Sequence, residues 1–332
     1  MATIKEVAKL AGLSVSTVSR YLNNHPYISE DKKNRIKEAM EELDYVPSSI
    51  ATQLRSNKNN TIGVLVSRIT NPFFSNLVDS IERNCKNLGY KVLIMQTYDD
   101  DKAELDMLNL LKQQVISGII MCSIEGDISR IASFQKYGHI VLCNEREPNI
   151  DIPQIYTNQE SMSYEATQYL IDNGYRKIAY CTGGNLVIGG HGSYRTTGFE
   201  NALKKNQLEM KKEWIFKEVH TIDDGRKIAR KICNMSYDER PDAVFTGSDE
   251  IAYGLIDEIQ ILGLSVPNDL AILGFDNQPY ANLLSVPLTT INQPVEELGI
   301  ESSNLLIGLI ENSPYKVNET ALQLTLIIRK ST

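Results

Sequence analysis

Cysteine and histidine are scarce in this chain of 332 residues. The five cysteines (Cys85, Cys122, Cys143, Cys181, Cys233) stand far apart and form no CxxC pair. Most sit in apolar runs such as Ile119-Ile120-Met121-Cys122, so they read as buried thiols of a reducing cytosol. The four histidines (His25, His139, His191, His220) lie apart from the cysteines and from each other, which gives no metal-ligand spacing. No apolar run approaches the ~20 residues that span a bilayer. The stretch Met1-Ala2-Thr3-Ile4-Lys5-Glu6 has neither an apolar h-region nor a small-residue cleavage site, so a cytoplasmic location is expected. Gly183-Gly184 and Gly189-Gly190-His191-Gly192 lack both GxGxxG spacing and a Walker lysine, and read as a cleft loop. The acids of Tyr98-Asp99-Asp100-Asp101 precede a helix, whose N-terminal dipole favours them. Neither catalysis, nor a metal, nor a cofactor is expected.

What is present is the balance of a soluble globular protein, 42% hydrophobic and 23% charged residues, in a length that fits two or three domains. The net charge of −8 is unevenly spread. Residues 1–60 hold nine Lys/Arg against seven Asp/Glu, and in the first 29 positions only Glu6 opposes Lys5, Lys9 and Arg20. A slightly basic N-terminal module on an acidic body points to local DNA contact.

That module reads as short helices. Thr3 followed by Glu6 is a capping box, and Ile4, Val7, Ala8, Leu10 and Ala11 form one apolar stripe that Gly12 ends. Ser14 caps a second helix from Val15 to Leu22, before Asn23-Asn24-His25-Pro26 breaks the chain. Ser29 is expected to cap a third helix over 30–44. Two helices joined by a tight glycine turn and closed by a third are the layout of a helix-turn-helix unit. The second helix would present Val15, Ser16, Ser19 and Arg20 to a major groove, where Arg20 can donate twice to guanine and small Ser16 and Thr17 allow close approach. The plainer alternative is an ordinary packing unit. Residues 46–60 change character: a short helix through Ala51 and Leu54 is expected to run into a polar linker.

From Thr61 onward strands and helices alternate. Continuous apolar runs at 62–66, 92–96, 118–122, 140–143, 155–157, 178–181, 243–246 and 271–275 predict strands buried on both faces. Helical stretches at 74–88, 102–116, 158–173, 193–206 and 249–262 lie between them. The expected class is α/β, with parallel sheets in two lobes and a cleft between.

The segment from Ile4 to Asn23 resembles the N-terminus of the lactose-repressor family (LacI/GalR regulators). Further landmarks follow in order: Ile28-Ser29, Leu43-Asp44-Tyr45-Val46-Pro47, Thr61-Ile62-Gly63-Val64, Asn71-Pro72-Phe73-Phe74, Arg195-Thr196-Thr197-Gly198-Phe199, Gly274-Phe275-Asp276 and Pro287-Leu288-Thr289-Thr290-Ile291. The resemblance implies a helix-turn-helix headpiece (1–46), a hinge helix and linker (47–60), and a two-lobed periplasmic-binding-protein-like core (61–332). Within the core it implies an N-lobe of about 61–158 plus 293–320 and a C-lobe of about 159–292 plus 321–332. It further implies a homodimer on near-palindromic double-stranded operator DNA, with Thr3, Ser14, Asn23, Ser29, Tyr45, Ser48 and Ala51 joining the DNA-facing residues. Leu54 matches a minor-groove wedge, whose insertion bends DNA at a cost that extra contact offsets. Ser48 and Thr52 stand where Asn and Arg are common in the family.

In the cleft the resemblance implies a small carbohydrate or sugar-phosphate effector. Arg195 and Asp276 match its ligands, an arginine fork and a carboxylate at a strand's carboxyl end, together suited to adjacent hydroxyls. Phe73 and Phe74 can lay a ring against a sugar, and Ser248-Asp249 replaces a pair that usually begins with a larger amide. His220, Arg146 and Gln293 complete the candidates. The expected function is a repressor of carbohydrate genes. Three rivals stand beside it: a global catabolite regulator with a phosphorylated carrier-protein partner, a transport solute-binding protein, and a Rossmann-like enzyme lacking its fingerprint.

Overall fold

The computed structural model describes residues 2–23, 25–46, 59–184 and 193–332. It separates into two compact units, Met1–Asn59 and Asn60–Thr332. The expected hinge helix with Ser48, Ala51, Thr52 and Leu54, and the glycine-rich stretch around His191, lie outside the described residues.

In the first unit, helices α1 (Ile4–Leu10), α2 (Val15–Leu22) and α3 (Glu30–Glu42) close over Val7, Ala8, Ala11, Val18, Ile36 and Ala39. The capping box forms: the Thr3 amide donates to Glu6 Oε2 at 2.7 Å and the Glu6 amide to Thr3 Oγ1 at 3.4 Å. Ser14 accepts from the Thr17 amide at 3.2 Å. Gly12 takes a φ of 61°, open to glycine at little cost. Arg35 locks that turn by donating to the carbonyls of Ala11 (2.6 Å) and Gly12 (3.3 Å). Two expectations change. Ser29 holds the N-cap position without a side-chain capping bond, leaving Glu30 and Asp31 to meet the helix dipole. The third helix stops at Glu42, short of 44, because Asp44 turns into the left-handed region at φ 45°.

The second unit holds two sheets. The first comprises β1 (Thr61–Val66), β2 (Lys91–Gln96), β3 (Gly118–Met121), β4 (His139–Cys143) and β5 (Gln154–Ile155) in the order β2-β1-β3-β4-β5, all parallel. Around them lie α4 (Pro72–Asn87), α5 (Asp101–Lys112) and α6 (Ile128–Ala132). Separate apolar clusters bury its two faces, one around Ile62, Val64, Leu77 and Ile81 and one around Leu65, Met107, Leu108 and Leu111. The second sheet comprises β6 (Ile178–Cys181), β7 (Ile215–Phe216), β8 (Ala243–Phe245), β9 (Ala271–Asp276), β10 (Thr289–Asn292) and β11 (Thr325–Ile327), ordered β11-β10-β9-β8-β6-β7. Its helices are α7 (Gln159–Asp172), α8 (Ser193–Lys205), α9 (Ile222–Cys233) and α10 (Asp249–Ile261). After β10, helix α11 (Val295–Ile310) packs back on α4 and the first sheet before β11 rejoins the second. The fold is the α/β two-lobed architecture expected, except that β11 runs antiparallel to β10 on one edge and that edge strand β2, expected to be buried on both faces, leaves Leu93 and Ile94 exposed. The expected strand at 155–157 is instead Gln154–Ile155, and β7, β10, β11, α9 and α11 were not singled out by the apolar pattern.

Candidate functional site

On the headpiece, Ser14, Val15, Ser16 and Arg20 are exposed, and Val15 keeps 41% of its surface in solvent despite being apolar. Ser14 Oγ lies 2.8 Å from both Ser16 Oγ and Thr17 Oγ1, which turns three hydroxyls into one polar cluster at the start of α2. Ser19 and Thr17 are half-buried, and Thr3 and Ser29 are exposed. Asn23 is exposed, but its amide folds back on the Ser19 carbonyl at 2.9 Å. Tyr45 packs half-buried against the mini-core.

In the second unit, a cavity of about 170 Å³ lies where the carboxyl ends of both sheets face each other. It is the location general to open α/β sheets. Asp276, the last residue of β9, contributes from the floor, 7% exposed and held at φ 113°. Such a φ in a residue with a side chain costs on the order of 1–3 kcal/mol, strain that clusters at functional sites. Burial pushes the Asp276 carboxyl up to about 6, against the opposing pull of Arg195 and hydrogen bonds from Gln293 and Gln278. Gln293 donates to Oδ1 at 2.7 Å, while the Gln278 amide reaches Oδ2 at 3.5 Å and Asn71 of the other lobe at 3.2 Å.

Arg195 enters from the first turn of α8. Its guanidinium lies 3.7 Å from the centre of the buried Phe275 ring. Nε donates to Gln159 Oε1 and Nη1 to the Gly247 carbonyl, each at 2.7 Å, so its plane is fixed before any ligand arrives. Phe73 and Phe74 line the same cavity, their rings 5.2 Å apart and edge to face, with Phe73 mostly in the core. His220 lines it beside Gly183, where an added Cβ would come within 2.7 Å of the imidazole. Ser248 lines it too, with a buried Oγ that has no partner among the described residues.

Three expected residues stand elsewhere. Asp249 is fully buried behind the cavity, where it accepts from Thr290 Oγ1 at 2.6 Å and the Gln278 amide at 2.7 Å. Burial and the nearby Asp276 push its carboxyl well above the ordinary range. Gln293 touches Asp276 without lining the cavity. Arg146 lies over Tyr156 and Tyr194, at 5.1 and 5.2 Å, in a wider outer opening of about 810 Å³. Among the lining residues not foreseen are Arg68, Asp99, Ser123, Glu125, Glu145, Gln159 and Glu250. They stand just past strand ends or in the first turn of a helix, and no short motif marks them. Among the described residues no group of three or more His, Cys, Asp or Glu is placed to hold a metal.

Residues 59–330 match the family described as periplasmic binding proteins and sugar binding domain of LacI family, and residues 3–48 match bacterial regulatory proteins, lacI family. The chain is 39% identical to the NTD biosynthesis operon regulator NtdR of Bacillus subtilis, over the full length of both chains. A LacI family transcriptional regulator from Lactobacillus casei with bound sucrose superposes with a TM-score of 0.78 and 35% identity, over 82% of this chain and 100% of that one. The lac repressor dimer bound to operator and the anti-inducer ONPF gives a TM-score of 0.84 at 25% identity, over 99% and 98%.

Proposed function

The chain belongs to the LacI family of DNA-binding transcriptional regulators, and on that premise we propose that it is a repressor of carbohydrate uptake or catabolism genes, controlled by a sugar-type effector in the cavity between the lobes. The observation that carries this reading is the pairing of Asp276 and Arg195 in one cavity. An acceptor on strained backbone and a donor fork stacked on Phe275 suit vicinal hydroxyls, which offer both donors and acceptors. Phe73 and Phe74 supply the apolar face a sugar ring needs. The sucrose bound to the Lactobacillus casei relative supports the ligand class.

For DNA, the proposed contacts are the exposed start of α2, with Val15, Ser16 and Arg20 reading base edges and the hydroxyl cluster meeting backbone phosphate. Two copies would read a near-palindromic operator, in keeping with the operator-bound lac repressor dimer, with Leu54 as the minor-groove wedge. Effector and operator then favour different arrangements of the two lobes, and each changes the other's affinity only by its differential affinity for those arrangements. The cytosol is the proposed location, and no described helix is long and apolar enough to cross a membrane.

Selection of binding sites from the organism's own fragmented genome, at stated salt, tests this. One or a few palindromes beside sugar-transport or sugar-catabolism genes are expected. Dozens of scattered sites would replace the local repressor with a global regulator, and no enrichment over random fragments with or without sugars would remove the DNA reading.

A further inference from the structure

The charge lining the cavity narrows the ligand beyond "sugar-type". Five carboxylates line it, those of Asp99, Glu125, Glu145, Glu250 and Asp276, against two guanidinium groups, those of Arg68 and Arg195. Both cations already face acceptors of the protein: Arg68 pairs with Asp99, and Arg195 donates to Gln159 and the Gly247 carbonyl. Glu250 and Asp276 repel one another, and burial pushes the carboxyls of both upward. Ser123, 2% exposed, lines the same space with an Oγ that has no partner among the described residues. The Ser248 hydroxyl beside Glu250 is likewise unpartnered. Hydroxyl-scale polar groups therefore await a ligand in a cavity whose own charge is negative.

An anionic ligand such as a sugar phosphate would add to that charge at close range. A neutral sugar would leave the excess of negative charge in place, with buried Asp276 and half-buried Glu250 still repelling one another. A protonated amine on the ligand compensates both and gains charge-assisted hydrogen bonds. We propose that the effector is an amine-bearing polyhydroxylated molecule, an amino sugar or aminated cyclitol, whose ammonium is met by Glu250 and Asp276 and whose hydroxyls are met by Arg195 and the Ser123 and Ser248 hydroxyls. The proposal rests on the reading of this cavity as the effector site.

The full-length protein would be titrated calorimetrically at pH 7 with matched sets built on glucose, galactose and mannose. Each set holds the parent sugar, its 2-amino-2-deoxy form, the N-acetylated amine and the 6-phosphate. In the set that binds, the free amine is expected to bind about tenfold or more tighter than both the parent and the N-acetyl form, the gap between a charge-assisted and a neutral contact. Glu250→Gln should shrink that gap about tenfold, weakening the amine more than the parent. A parent sugar or a phosphate that binds tightest in wild-type protein overturns the amine, and so does a Glu250→Gln variant that weakens amine and parent alike. Both results leave the sugar-type cavity standing. No binding by any member would overturn the sugar-type reading itself.

Discussion

Asp276 concentrates several demands on one position: a left-handed backbone, a buried carboxylate, and two glutamine partners that hold it toward the cavity. Its carboxyl is raised from 3.8 to about 6 by burial. A group raised on folding contributes stability below its unfolded value and loses it as pH climbs through the folded one. Native-state stability of the core should therefore fall between about pH 4 and pH 6, with the penalty complete at neutral pH. Asp276→Asn removes that penalty. It should abolish effector binding yet raise stability at pH 7 by up to about 3 kcal/mol, less what the amide loses opposite Gln278, and the gain should vanish near pH 4. Thermal melts across that range check both parts. Arg195→Ala should abolish the effector response and leave operator binding intact, as read by operator titration with and without ligand. Arg195→Lys should not restore it, because one ammonium cannot hold Gln159, Gly247 and the Phe275 face in a single plane.

At the level of elements, the turn between α1 and α2 depends on a residue of α3. Arg35 holds the Ala11 and Gly12 carbonyls, and hydrogen bonds from a charged donor contribute about 1.5–3 kcal/mol. Arg35→Ala should unfold the headpiece at lower denaturant and weaken operator binding, while the melting of the core stays unchanged. In the second sheet, Gly274 lets β9 pass close to α10, since a Cβ there would collide with Asp249 Oδ1 and come within 2.7 Å of Leu288 Cδ2. Gly274→Ala should destabilise the core by about 1–3 kcal/mol, as overpacking does, measured by urea unfolding. These elements also show what sequence can disclose. The long apolar strands β1, β3, β6 and β9 and the capped helices announced themselves, because burial on both faces leaves unbroken apolar runs. Two-residue β7 and edge strand β11 are too short or too exposed for that signal, and α9 carries Gly225 because a Cβ there would collide with the Ile251 carbonyl of α10. The cavity was half legible. Arg195 and Asp276 stand in family motifs, whereas Arg68, Glu250 and Ser123 enter only through the juxtaposition of strand and helix ends far apart in sequence. Asp249 misled because its place beside Ser248 matches a ligand pair, while its side chain turns inward to tie β10 and the loop after β9.

For the whole molecule, a basic-edged headpiece and an acidic, ligand-ready core occupy one chain, joined through residues 47–58. If Leu54 acts as a wedge, Leu54→Ala should weaken specific operator binding far more than binding to random DNA, in fluorescence titrations at fixed salt; equal losses on both would refute that role. Linkage supplies the sharper demand, since a ligand that changes operator affinity must have its own affinity changed by operator to the same factor. The measurement to make is that reciprocal pair, taken with the matched-set sugar that binds tightest: operator affinity with and without ligand, and ligand affinity with and without operator, in wild-type and Arg195→Ala protein. Two equal factors in the wild type, both collapsing to one in the variant, are predicted. A ligand that occupies the cavity while operator affinity stays unchanged would contradict control of DNA binding from this site.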